Sequence, residues 1–154
     1  MTTLAIDAAT RSGLAVVRGG ELLFAANVNA PPLDRALEVL RPLVALGVDR
    51  IAIEAAQVRG GSSVRQKAQS QGTLVQAEWI GLWRAVCRMT FPSVPIADVY
   101  PSTWRSGLRL PTGDRAYLKR IALAAAEQRW PHREWKNNDE AEAALIALYM
   151  ESRR

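Results

Sequence analysis

The chain has 154 residues, 49% of them hydrophobic and 23% charged, which is enough for one domain with an ordinary core and too apolar for a disordered segment. One cysteine, Cys87, and one histidine, His132, exclude an internal disulfide and leave too few ligands for a structural zinc site. The net charge of +5, carried by 17 Arg against 3 Lys, fits a polyanionic partner, because guanidinium forks suit phosphate, and fits equally the codon bias of a GC-rich genome.

No apolar stretch approaches the length of a membrane span, and Met1-Thr2-Thr3 leads straight into an apolar run without the pattern of a signal peptide. The expectation is a cytoplasmic protein with no membrane association, forming a single domain over residues 1–154.

In chain order, Leu4-Ala5-Ile6 stops on Asp7, and a small polar turn with Gly13 leads into Leu14 to Val17. These runs predict strands at about 3–7 and 12–18. Gly19-Gly20 is a hairpin signal, and Glu21 to Asn29 alternates as a third antiparallel strand. Asn29-Ala30-Pro31-Pro32 breaks the meander, and apolar residues at 33, 36, 37, 40, 43 and 44 predict an amphipathic helix that Pro42 should kink or shorten. A fourth strand over 50–54, Arg-Ile-Ala-Ile-Glu, then follows a helical crossover and should lie parallel to the first.

Ala55 to Ser63 reads as a loop whose Arg59-Gly60-Gly61-Ser62-Ser63 stretch suits an anion, or is simply flexible. Residues 64–89 carry no proline and predict one long helix, with Trp79 and Trp83 on a shared face and Cys87 as buried packing. Residues 96–100 predict a fifth strand, 102–107 a short helix, 115–129 a helix introduced by Thr112-Gly113-Asp114, and 139–151 a last helix. Asp114 reads as a helix cap, Asp98 as a strand-end or turn acid, and His132 as exposed loop. Trp104, Trp130 and Trp135 read as packing, with base stacking the alternative.

Two buried strands that each close on an acid are unexpected on packing grounds. Ligands of open α/β sheets gather beyond the carboxyl ends of such strands, so Asp7 and Glu54 are candidates to sit side by side. At 4 Å and an effective dielectric near 20 their repulsion is on the order of 4 kcal/mol, which calls for a cation, and a hard divalent ion suits oxygen ligands. Asp139 and Glu142, three apart, share one face of the last helix. Alone they read first as a capping box with acids at the positive end of the helix dipole. With Asp7 and Glu54 they make four carboxylates able to bind a pair of divalent ions of the kind that drives phosphodiester cleavage.

A first strand ending in Asp, a three-strand meander, a fourth strand ending in Glu and a last helix opening on two acids together resemble the ribonuclease H-like superfamily, in particular the compact phage or bacterial RuvC-type Holliday junction resolvases. Ile53-Glu54, Gln69-x-x-Gly72, Gly113-Asp114-Arg115 to Lys119 and Asp139-Glu140-Ala141-Glu142-Ala143-Ala144-Leu145 carry the resemblance over roughly residues 3–150. It implies a five-stranded mixed α/β sheet flanked by helices, and a homodimer that binds branched, four-way DNA and nicks two opposed strands with Mg²⁺ or Mn²⁺, two ions per site. Asp7, Glu54, Asp139 and Glu142 match the metal-binding acids. Arg105, Arg115 and Lys119 stand where the family has lysines near the scissile phosphate, Arg115 counting among the catalytic residues, and Arg59, Arg65 and Lys67 would guide the DNA arms. The chain departs from the family pattern at Ala9, at Glu142 in place of the commoner Asp, and at Gln57 or Val58 in place of an aromatic residue. A ribonuclease H-like nuclease acting on RNA or RNA:DNA hybrid, and a non-catalytic nucleic-acid-binding domain, are the alternatives.

Overall fold

The apolar runs pair in the order that their hairpin and crossover signals predict. The computed structural model describes residues 1–29, 32–55 and 64–153, with the backbone alone over 64–73. In it β1 (Thr2–Asp7), β2 (Arg11–Arg18) and β3 (Glu21–Asn29) form the antiparallel meander. Gly19 and Gly20 join β2 to β3 with φ of 57° and 82°, the left-handed pair that a two-residue hairpin loop of matching twist requires. Helix α1 (Leu33–Leu40) ends where Pro42 has no N–H to give, and the chain tightens into a 3₁₀ helix, Arg41–Leu46, before β4 (Arg50–Glu54). The shortening expected from Pro42 is therefore real.

Helix α2 (Val64–Thr90) runs 27 residues to β5 (Ile96–Val99), and α3 (Pro101–Gly107), α4 (Arg115–Arg129) and α5 (Asn138–Ser152) complete the chain. Tyr100, expected in the fifth strand, instead precedes α3 as its N-cap, because Pro101 adds no donor to a ladder and its fixed φ suits the first helical position. Among the described residues the sheet has five strands in the order β3-β2-β1-β4-β5, with β1–β4 and β4–β5 parallel. The described helices include none long and apolar enough to cross a membrane.

Strand side chains alternate between two unlike layers. Leu4, Ile6, Leu14, Val16, Ile51 and Ile53 pack with α1, the 3₁₀ helix and the second half of α2, through Leu40, Trp83, Val86 and Cys87. Both Trp83 and Cys87 are fully buried, and burial pushes the Cys87 thiol up to about 12. On the other face Ala5, Ala15 and Ala52 meet Ala143, Ala144, Ile146 and Ala147 of α5, with α3 and α4 outside it. Small residues on both sides let α5 lie close to the sheet, and its Asp139-to-Tyr149 span is buried except for Leu148. That proximity decides where the acids of its first turn end up.

Candidate active site

Period-two alternation aims the strand-end acids. Ile6 and Ile53 are register partners facing α2, so Asp7 and Glu54, each one residue further along, turn to the opposite face, toward α5. Both are buried, at 7% and 6% exposure, as are Asp139 at 6% and Glu142 at 4%. Carboxylate oxygens of Asp7, Asp139 and Glu142 all lie within 4.8 Å of one another. Glu54 lies against Asp7 within hydrogen-bonding reach, and its Oε1 accepts from the indole N–H of the fully buried Trp104 at 2.8 Å.

Gly13 makes the convergence possible. It belongs to β2 rather than to the turn, directly opposite Asp7 in the ladder, and a Cβ there would fall 1.9 Å from the carbonyl oxygen of Asp139. Only a residue without a side chain lets the first turn of α5 reach the sheet at this point. The turn before Gly13 is fixed as well: the Ser12 hydroxyl donates to the Ala9 carbonyl at 2.7 Å and accepts from the Trp83 indole at 2.8 Å. The turn that follows Asp7 is thus tied to α2 through Ser12.

The capping alternative for Asp139 is overturned. Asn137 caps α5, its Oδ1 accepting from the backbone N–H groups of Asp139 and Glu140 at 3.1 Å each, which leaves the carboxylates of Asp139 and Glu142 free to face Asp7. Glu140 is also buried but pairs with Arg133 at 3.5 Å and stands outside the cluster. Asp114 does cap α4, accepting from the Tyr117 N–H at 2.8 Å, and Asp98 is an exposed acid paired with Arg84.

Three cations ring the acids. Arg105 Nη2 meets Glu142 Oε1 at 2.7 Å, Arg11 Nε meets Asp139 Oδ2 at 2.6 Å, and Lys119 Nζ meets Asp139 Oδ1 at 3.4 Å. Arg105 and Lys119 are where the sequence reading puts phosphate-binding residues. Arg11 was missed: it is the exposed first residue of β2, 128 positions from Asp139, and nothing local marks it. Arg115 opens α4 exposed and makes no ion pair with the acids, although it lies one helical turn before Lys119 on the same face. Arg59 lies outside the described residues, as do Gln57 and Val58, and the side chains of Arg65, Lys67 and Gln69 are likewise undescribed. His132 is exposed, Trp130 is buried with its N–H on the Gly20 carbonyl at 3.1 Å, and Trp135 packs against Trp130.

Burial, then the charges of Glu54, Glu142 and Asp139, hold the Asp7 carboxyl well above the usual carboxylate range. Burial also raises Glu54, while the Trp104 N–H pulls it the other way. A donor set of carboxylate oxygens with no sulfur or imidazole suits Mg²⁺ or Mn²⁺. Octahedral coordination at about 2.1 Å places neighbouring and opposite oxygens roughly 3–4 Å apart, and one oxygen from each of Asp7, Asp139 and Glu142 already lies within 4.8 Å of the others. The residues present therefore fit such an ion.

A mixed sheet with this strand order, helices on both faces and acids at the ends of β1 and β4 and the start of α5 is a ribonuclease H-like fold. Among solved structures it is similar to RuvC of Thermus thermophilus in complex with Holliday junction substrate, with a TM-score of 0.63 and 20% identity over 97% of this chain and 91% of that one. It is similar also to a second Thermus thermophilus RuvC structure, with a TM-score of 0.60 and 18% identity over 97% and 92% of the two chains. No protein-family model matches the sequence, and no curated protein matches it.

Proposed function

We propose that this chain is a metal-dependent, structure-specific DNA endonuclease that resolves four-way junctions by paired symmetric cuts, acting as a homodimer. The observation that carries the reading is the meeting of Asp7, Asp139 and Glu142 oxygens within 4.8 Å, from two distant stretches of chain, all three side chains buried and edged by cations. Likeness in fold to a RuvC structure holding a Holliday junction supports the choice of substrate.

Asp7, Asp139 and Glu142 would hold Mg²⁺ or Mn²⁺, with Glu54 beside Asp7 available for a second ion. When bound, such ions supply a water activated for attack and neutralise charge on the phosphate under cleavage. Arg105, Lys119 and Arg11 are partly exposed beside the acids and can transfer contacts from carboxylate to the phosphates flanking the cut. Arg115, on the Lys119 face of α4, extends this cationic edge toward the DNA. Arg59, Arg65 and Lys67 are assigned to the arms of the junction. Contacts of this kind make binding independent of sequence and steeply dependent on salt.

The test is incubation of the protein with a synthetic four-way junction, a linear duplex and an RNA:DNA hybrid in Mg²⁺. The expected result is symmetric paired nicks in the junction and none from Asp7→Asn or with EDTA. Preferential cutting of the hybrid, or undiminished cutting by Asp7→Asn, overturns the reading.

A further inference from the structure

Glu54 is the acid that stands apart. The other three bring oxygens together from β1 and α5, whereas Glu54 Oε1 is taken by a donor from a fourth element, α3. That donor, the Trp104 indole N–H, belongs to a fully buried ring whose position is fixed by packing beneath α5 and beside Val99. The face of the same ring seats the Arg105 guanidinium at 4.7 Å, and Arg105 in turn reaches Glu142 Oε1 at 2.7 Å. One rigid indole thus links an acid of β4 to an acid of α5.

We propose that Trp104 is a positioning residue of the metal site, holding Glu54 through its N–H and Glu142 through the Arg105 it carries, so that α3 sets the spacing between the two carboxylates. This rests on the metal-dependent reading above and adds a residue to it. The chemistry favours an indole in this place. A long carboxylate side chain has several rotamers to lose on ordering, and a single short hydrogen bond to an immobile ring selects one of them. Indole N–H donates but does not accept, so it orients one carboxylate oxygen and leaves the other to a cation. It is also neutral: a Lys or Arg donating to Glu54 would repel an incoming divalent ion, while an indole does not. Hydrogen-bond partners behind metal-binding side chains are where such sites gain affinity.

The decisive comparison is a calorimetric titration of Mn²⁺ into the wild-type protein and Trp104→Phe, with thermal melting in EDTA as the folding control. Phe keeps an aromatic ring under Arg105 and removes the donor together with part of the buried indole's volume, which the melt monitors. Expected is Mn²⁺ binding by wild type and an affinity about 10–100-fold weaker in the variant, the range for loss of a partner behind a metal ligand, with a cooperative melt retained. Equal affinity in the two proteins overturns the role of Trp104 and leaves the nuclease reading standing, whereas no Mn²⁺ binding by wild type overturns both. Should the variant lose its cooperative melt, the assigned Trp104 indole N–H resonance of isotope-labelled wild type decides. It is expected to shift as Mg²⁺ saturates the site, and a resonance indifferent to saturating Mg²⁺ overturns the proposal.

Discussion

At Asp7 the cost of building the site is concentrated on one side chain. Burial and three neighbouring carboxylates all push its proton affinity up, so the folded protein holds that proton to higher pH than the unfolded chain, whose aspartates titrate near about 3.9. A folded-state pKa above the unfolded one contributes stability that is complete below about pH 4 and lost as pH rises through the folded value. In EDTA, Asp7→Asn is therefore expected to melt higher than wild type, with a difference that grows from acid toward neutral pH. Each kcal/mol of relieved repulsion is worth roughly 2–4 °C in a chain of this size. Melting curves of the two proteins from pH 4 to 8 check this, and saturating Mg²⁺ should raise wild type and leave the variant behind. A variant that melts below wild type throughout would mean that Asp7 is stabilised by its surroundings. This residue was visible in the sequence because a carboxylate closing a buried strand breaks the pattern around it. Arg11 was not, since its role is a contact across 128 positions made from the exposed start of a strand.

Among the elements, α5 decides whether there is a site at all. Its first turn reaches the sheet through the space that Gly13 leaves open, and its cap on Asn137 frees the two acids that a sequence reading could equally have spent on capping. Gly13→Ala should force the helix end off β2, at a cost of about 1–3 kcal/mol in stability for an overpacked contact. It should also weaken Mn²⁺ binding by moving Asp139 relative to Asp7. Denaturant unfolding and a Mn²⁺ titration measure the two effects, and a variant with wild-type affinity would show that the close approach at Gly13 is not what places Asp139. The strands, the shortening at Pro42 and the helix positions were legible from alternation, proline and glycine punctuation and 3.6-residue spacing. The meaning of Gly13 was not, because a glycine needed for close approach to another element reads locally as a turn residue. Trp104 escaped for a similar reason: a tryptophan in a short helix announces burial and says nothing of what its N–H will meet.

At the scale of the whole molecule, the sheet separates two tasks. Its α1 and α2 face carries large aliphatic and aromatic packing, while its α5 face is built of alanines that bring a helix start and two strand ends into one pocket. The parallel order of β1 and β4, forced by the helical crossover between them, sets Asp7 beside Glu54, and the return of the chain through α5 beneath them adds Asp139 and Glu142. Arginines dominate an excess of positive charge, and three partly exposed cations, Arg11, Arg105 and Lys119, pair with the gathered acids. The central claim is that the gathered acids form a site for divalent metal, and a crystal of the protein soaked in Mn²⁺ tests it most directly. The account predicts an anomalous scattering peak about 2.0–2.6 Å from carboxylate oxygens of Asp7, Asp139 and Glu142, the range for oxygen-ligated divalent ions. Manganese bound only elsewhere on the surface, or a fully formed pocket that stays empty in millimolar Mn²⁺, would contradict it.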